Sequence, residues 1–181
     1  LAEHKKLRSS HISKVCRALL SVIADKSKPI EVRRRALEAA APLSLPQVKE
    51  AIREAYQSHS SRLRISSIYA MGKNCDHFWL PILLKELANT NAEIRYETVG
   101  ACSELGEDEA IPYLIERIND PDADVQMAAI QVLGKIGGSE AKKCLEQCRD
   151  NPSEVIQQAA KQALDELEAT EDPFLYQGLD S

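Results

Sequence analysis

Apolar positions recur along this chain at helical spacing, and the helices they predict recur in turn. Five segments open alike: Val32-Arg33-Arg34, Leu63-Arg64-Ile65, Ile94-Arg95-Tyr96, Val125-Gln126-Met127 and Val155-Ile156-Gln157, starting 31, 31, 31 and 30 residues apart. Five residues further the column reads Leu37, Ile68, Val99, Ile130 and Ala160, and eight further it reads Ala40, Met71, Cys102, Leu133 and Ala163. That spacing is the buried stripe of a first helix in each unit. Glycine follows in Ala70-Met71-Gly72 and in Leu133-Gly134-Lys135-Ile136-Gly137-Gly138, where a positive φ is expected to end the helix.

A second helix is predicted in each unit, over 47–56, 77–88, 109–119 and 139–149. Its stripe is plain in Leu80, Leu83, Leu84, Leu87 and in Ile111, Leu114, Ile115, Ile118, the i, i+3, i+4, i+7 pattern of one helix face. Pro81 and Pro112 fall in first turns, where a missing N–H costs little. Polar turns such as Asn119-Asp120-Pro121-Asp122 return the chain to the next unit. A helical hairpin cannot bury its own apolar face, so stacking hairpins share one core. The expected fold is all-α: a right-handed α-solenoid, or superhelix, of about five hairpins and about ten helices with a 31-residue period. The expected organisation is a single repeat domain over 1–169 and a C-terminal tail over 170–181. Within the domain, 1–28 holds the helix of an incomplete repeat, 28–58, 59–89, 90–120 and 121–151 are repeats, and 152–169 is a capping helix.

Three features carry a family resemblance: the stretch from Ile94-Arg95 to Gly106-Glu107, the segment Ala110-Ile111-Pro112-Tyr113-Leu114, and the turn Asp120-Pro121-Asp122-Ala123-Asp124-Val125 with Leu133-Gly134-Lys135-Ile136-Gly137 behind it. Over about residues 28–168 the sequence resembles the HEAT-like repeats of the phycobilisome-lyase type. The resemblance implies an armadillo-like helical scaffold and, as its enzymatic option, a bilin (tetrapyrrole) lyase or isomerase subunit. In that family a turn Asp and an Arg six positions later usually form a ladder. Here the acidic column reads Ser27, Ser58, Asn89, Asp120, Asp150 and the basic one Arg33, Arg64, Arg95, Gln126, Ile156. No repeat carries both, so an ion pair has to cross between repeats, from Arg95 to Asp120.

The two ends differ from the middle. The segment 154–168 has no partner helix after it, and Gln157, Gln158, Lys161, Gln162, Asp165 and Glu166 are expected to face outward as a polar cap. A helix over 10–25 carries the stripe Ile12, Cys16, Leu19, Leu20, Ile23 and also Val15 and Val22 on a second face. The second face predicts either a missing preceding helix or self-association through the N-terminal helix. A chain that starts at Leu1 is expected to be a processed product or an excised piece.

Composition agrees with this pattern. The 181 residues include 22 Ala, 20 Leu and 18 Glu against 8 Val and 3 Thr, so helix formers dominate and strand formers are scarce. The longest apolar run, 78–84, is interrupted by Pro81 and falls short of the roughly 18–20 residues needed to span a bilayer. Five cysteines make no even framework and suggest reduced thiols and a cytoplasmic setting. The net charge of −5 hides a gradient: residues 1–90 carry 16 Lys+Arg and 8 Asp+Glu, residues 91–181 carry 7 and 20.

No catalytic signature is present: neither a nucleophile elbow, nor a paired-histidine zinc motif, nor a phosphate loop. No cofactor and no metal are expected. Cys144 and Cys148 lie one helical turn apart on an apolar stripe and are read as packing residues. Cys75 and His77 flank a turn, and His4, His11, His59 and His77 have no repeated Glu partner, unlike the diiron hydroxylases built on such repeats. Lys5, Lys6, Arg8, Lys14 and Arg17 form a basic N-terminal patch. Nucleic-acid binding there is a further alternative, set against missing aromatic interleaving and a pI near 5.5. Phe78, Trp79, Ile82 and Tyr113 are apolar on a second-helix surface that is polar or small elsewhere, the makeup of a binding hot spot. The expected function is a non-catalytic scaffold that binds a protein or peptide on the concave face, with the second-helix row lining it.

Overall fold

A computed structural model describes the backbone of residues 2–171 and the side chains of residues 11–169. These residues form ten α-helices and no strand: α1 (Ala2–Ala24), α2 (Ile30–Ala40), α3 (Pro46–Tyr56), α4 (Ser61–Asn74), α5 (Leu80–Glu86), α6 (Ala92–Leu105), α7 (Ile111–Arg117), α8 (Ala123–Ile136), α9 (Ser139–Cys148) and α10 (Glu154–Glu171). The fold is the all-α repeat that the sequence pattern predicts. Helices α5 and α7 are shorter than expected, because each is entered through a 3-10 turn, His77–Trp79 and Asp108–Ala110. Proline explains this. Pro81 and Pro112 have no N–H to close an α-helical turn four residues back. The preceding turn tightens instead onto three-residue bonds, Trp79 N–H to Asp76 O and Ala110 N–H to Glu107 O, both 3.0 Å.

The chain divides into two compact units, residues 1–79 and 80–181. In the first, α2 lies between α1 and α4, and α3 packs against α4. Leu37, Ala40, Val48, Ile52, Ile68 and Met71 are fully buried at its centre. Asn74 closes α4. Its buried amide donates to Ala41 O at 2.8 Å and accepts the indole N–H of Trp79 at 2.9 Å, so the polar groups at two helix ends and on one ring satisfy each other. The positive φ at the end of α4 belongs to Cys75, at 50°, while Gly72 stays inside the helix and buried.

In the second unit α6, α8 and α10 lie side by side, with α7 and α9 packed against α8. Val99, Cys102, Leu114, Ile130, Leu133 and Leu145 have no exposed surface. Asn91 and Asp122 cap α6 and α8 by accepting N–H bonds from Glu93 (2.8 Å) and Asp124 (3.1 Å), the N-cap role suited to short polar side chains. Left-handed residues after the helices are Gly106 (φ 66°) and Gly137 (φ 77°). Gly134, expected as a helix end, lies inside α8 and serves closeness instead: a Cβ there would sit 2.8 Å from the Cβ of Ala163 on α10.

The last repeat also steps by 31, not 30. Asn151 accepts the Ser153 N–H at 2.9 Å as Asp120 accepts that of Asp122 at 3.0 Å. Gln157 donates to Asn151 O at 2.7 Å as Arg95 donates to Asn89 O at 2.8 Å. Asn151 and Gln157 therefore continue the two ladder columns, in place of Asp150 and Ile156. On α10, Gln158, Lys161, Gln162, Asp165 and Glu166 are exposed and Gln157 is half-buried, while Ile156, Ala160, Ala163 and Leu167 face inward. No described helix is long and apolar enough to cross a membrane.

Candidate functional site

Among the described residues Tyr69, Phe78, Tyr96 and Tyr113 are exposed aromatic rings, and two surfaces are built around them, one with a trough and one with an edge-on ring pair. The first lies on the second unit. There α6, α8 and α10 pack closely while α7 and α9 touch little. The first-helix row is therefore the closely packed row of this unit. Tyr113, exposed on α7, falls on the second-helix row.

Along the first-helix row runs a trough. Between α6 and α8 it encloses about 530 Å³, lined by Ala92, Glu93, Tyr96, Asp122, Asp124, Met127, Ala128 and Gln131. It continues past Glu97, Gly100, Ser103 and Glu104 and widens between α8 and α10 to about 670 Å³ beside Lys135, Gln158, Gln162 and Glu166. Small residues make the depression: Ala92, Gly100 and Ala128 leave the space, and Tyr96, 50% exposed, stands in it. The α6–α8 stretch is bordered by Glu93, Glu97, Glu104, Asp122 and Asp124 and by no Lys or Arg. Asp122 is engaged as the α8 cap. Glu104 sits in the last turn of α6, where the helix dipole opposes a negative charge.

The corresponding helices of the first unit are tied by a polar network instead. Ser66 accepts from Arg34 at 2.7 Å and donates to Glu38 at 2.8 Å, and Glu31 pairs with both Arg34 and Arg62. Each sign of charge there has its complement.

The second surface, on the first unit, centres on Phe78, 49% exposed. Trp79 meets it edge-on, with ring centroids 4.9 Å apart at 78°. The Arg53 guanidinium lies 5.5 Å and the Lys49 ammonium 6.0 Å from the Phe78 ring centre, within cation–π range. Lys49 also pairs with Asp76, whose carboxylate accepts the Phe78 N–H at 3.0 Å. The Lys49 hydrogen bond, with that N–H, holds the Asp76 carboxyl below its usual 3.8.

The four residues singled out from sequence are thus placed unequally. Phe78 is exposed, Ile82 half-buried and Tyr113 exposed, whereas Trp79 has no accessible surface. Trp79 props Phe78 and is not itself offered to a partner. Phe78 and Trp79 belong to the first unit, Ile82 and Tyr113 to the second. Lys14 and Arg17 are exposed on α1; Lys5, Lys6 and Arg8 lie outside the described side chains. Sequence reasoning missed Tyr96 and its carboxylates. The available signal was an aromatic ring two residues after a first-helix start, in the half of the chain rich in acid.

Thiols contribute packing. Burial pushes Cys102 up to about 12, and burial with the neighbouring Cys144 pushes Cys148 up to about 11, so both are protonated near neutrality. Among the described residues no group of three or more His, Cys, Asp or Glu is placed to hold a metal ion.

Residues 80–165 match the family of HEAT repeats. No curated protein matches the chain. Among solved structures, the complex of CpcE and CpcF of phycocyanin lyase from Nostoc sp. PCC7120 is similar, with TM-score 0.68 and 18% identity over 87% of this chain and 66% of that one. A designed armadillo repeat protein in complex with the peptide (KR)4 gives TM-score 0.59 and 19% identity, covering 87% of this chain and 86% of that one. Human deoxyhypusine hydroxylase gives TM-score 0.53 and 16% identity over 91% and 99%. At such identities the likeness is one of fold. The 31-residue step and the paired helices agree with the HEAT-repeat match over residues 80–165, and the chain as a whole has the fold of helical-repeat proteins.

Proposed function

We propose that this protein is a non-catalytic scaffold that binds a basic, extended peptide segment along the first-helix row of its second unit. One observation carries the reading: an open trough around the exposed Tyr96 ring is bordered by five carboxylates and no Lys or Arg. An extended chain with Lys or Arg at alternate positions matches that charge, and aromatic faces attract cations. Gln131, Gln158 and Gln162 add side chains that both donate and accept hydrogen bonds. The designed armadillo protein of similar fold is in complex with the basic peptide (KR)4, which supports the reading. Phe78, flanked by Lys49 and Arg53, is a second contact surface in this proposal, with Trp79 as its support.

The test is fluorescence polarisation with a labelled (KR)4 peptide and an acidic control of equal length. Binding of the basic peptide alone, weakened by salt and by Tyr96→Ala, supports the reading. Equal binding of both peptides, or none, refutes it. The likeness to the phycocyanin lyase structure keeps a bilin-handling role as the alternative. A shift in bilin absorbance on mixing would favour that role over the scaffold.

A further inference from the structure

We propose that the first unit holds a binding site for a small oxyanion, formed where the arginine ladder lacks its carboxylate. In the second unit Arg95 reaches 25 residues forward to Asp120, with Nε to Oδ2 at 2.8 Å and Nη2 to Oδ1 at 2.6 Å. The same step from Arg33 ends at Ser58. Ser58 keeps half of the aspartate's role: its Oγ accepts the Ser60 N–H at 3.1 Å, as Asp120 accepts that of Asp122 at 3.0 Å. The charged half is missing, and the space is left open as a cavity of about 400 Å³ bordered by Arg33, Ser58, His59, Lys26 and Glu54.

Arg33 is held for such a task. Its Nε donates to Ile23 O at 2.8 Å, which fixes the guanidinium, and among the described residues neither Nη bonds to a carboxylate. A phosphate or carboxylate bound there would accept from those terminal nitrogens and from the Ser58 hydroxyl, whereas Asp120 accepts from Nε and Nη2 of Arg95. Glu54 on the rim, and Asp25, whose carboxylate is engaged by Ser27 while its charge also interacts with Arg33, limit the site to a compact anion.

The probes are inorganic phosphate and acetate, titrated at constant ionic strength and followed by thermal unfolding and by 31P line broadening for phosphate. Two variants accompany the full chain. Arg33→Gln removes the clamp, and Ser58→Asp supplies the missing carboxylate from within. The wild type should be stabilised saturably, with phosphate alone or both anions active according to the geometry preferred. Affinity should fall about tenfold or more in each variant, the loss of a charge-assisted hydrogen bond, and Ser58→Asp should melt higher than wild type without added anion. No saturable effect in the wild type, or an effect kept in either variant while circular dichroism shows the helices intact, overturns the proposal.

Discussion

Arg95 of α6 and Asp120, in the turn that leads into α8, form a bidentate ion pair at 2.8 and 2.6 Å, with side chains only 7% and 0% exposed. The remaining Arg95 nitrogen donates to Asn89 O at 2.8 Å, and Asp120 also accepts the Asp122 N–H at 3.0 Å. Removing one partner of a buried pair strands the other, which typically costs about 3–5 kcal/mol. Asp120→Asn should therefore lower stability on that scale in urea unfolding. Exposed Glu31–Arg62, 2.8 Å apart, serves as control, since surface pairs contribute about 0–1 kcal/mol.

The same pair sets an acid limit. Burial raises the Asp120 carboxyl, but the Arg95 hydrogen bonds, the Asp122 N–H and the charges of Arg95 and Arg117 outweigh it and hold the group below 3.8. The stability this provides is present above the unfolded value, about 3.9, and is lost as pH falls through the lower folded value. Melting followed from pH 6 to pH 2 should show a steep acid limb in the wild type and a shallower one in Asp120→Asn.

Much of this was legible in the sequence. The interval between the arginine and aspartate columns predicts the Arg95–Asp120 pair, because a repeat places equal positions in equal surroundings. The same logic, followed one column further, puts Trp79 in line with Val48, Ala110 and Ala141, all of them fully buried. Trp79 stands out by size and so resembles a hot spot, although its column is core. Phe78, by contrast, aligns with Gln47, Glu109 and Glu140, an exposed column. The trough beside Tyr96 was not legible, since how closely α6, α8 and α10 pack depends on tertiary packing that periodicity does not encode. Asn74 was equally hidden: it stands where later repeats have Leu105 and Ile136, and only the structure shows it joining Ala41 and Trp79.

Thiol reactivity should follow burial. With Cys102 pushed up to about 12 and Cys148 up to about 11, neither offers thiolate near pH 8, while Cys75 is exposed. An aromatic disulfide reagent should label Cys75 first in the folded protein and Cys102 only on unfolding. For each buried thiol the favoured form is neutral, so the stability linked to it is complete below the unfolded value, about 8.5, and declines as pH rises toward the folded one. Prompt labelling of Cys102 in native buffer would contradict this burial.

Gly134→Ala tests the packing of α8 on α10. Alanine is the better helix former by roughly 1 kcal/mol, so an open site would gain stability. Here the added methyl would meet the Ala163 Cβ at 2.8 Å and its carbonyl oxygen at 2.9 Å, a backbone neighbour that cannot swing aside. Overpacking of this kind costs about 1–3 kcal/mol, and a net loss is the expected result in thermal melts. Gly100, with nothing within 4 Å of its Cβ position, should gain from the same change.

Trp79 and Phe78 divide support from contact, and two single variants separate them. Trp79 is fully buried and its indole N–H is bonded to Asn74 at 2.9 Å. Trp79→Ala should lower stability by about 3–5 kcal/mol, the usual loss for a truncated buried aromatic, and also leave the Asn74 oxygen without its donor. Phe78→Ala removes a half-exposed ring, so stability should change far less. Any loss of partner binding in Phe78→Ala then reports contact, whereas loss in Trp79→Ala accompanied by a lower melting temperature reports a ring that has lost its prop. Since the chain has one tryptophan, its emission checks the premise directly: the native protein should emit at short wavelength and resist acrylamide. Red-shifted, readily quenched emission would mean that Trp79 reaches solvent and can touch a partner itself.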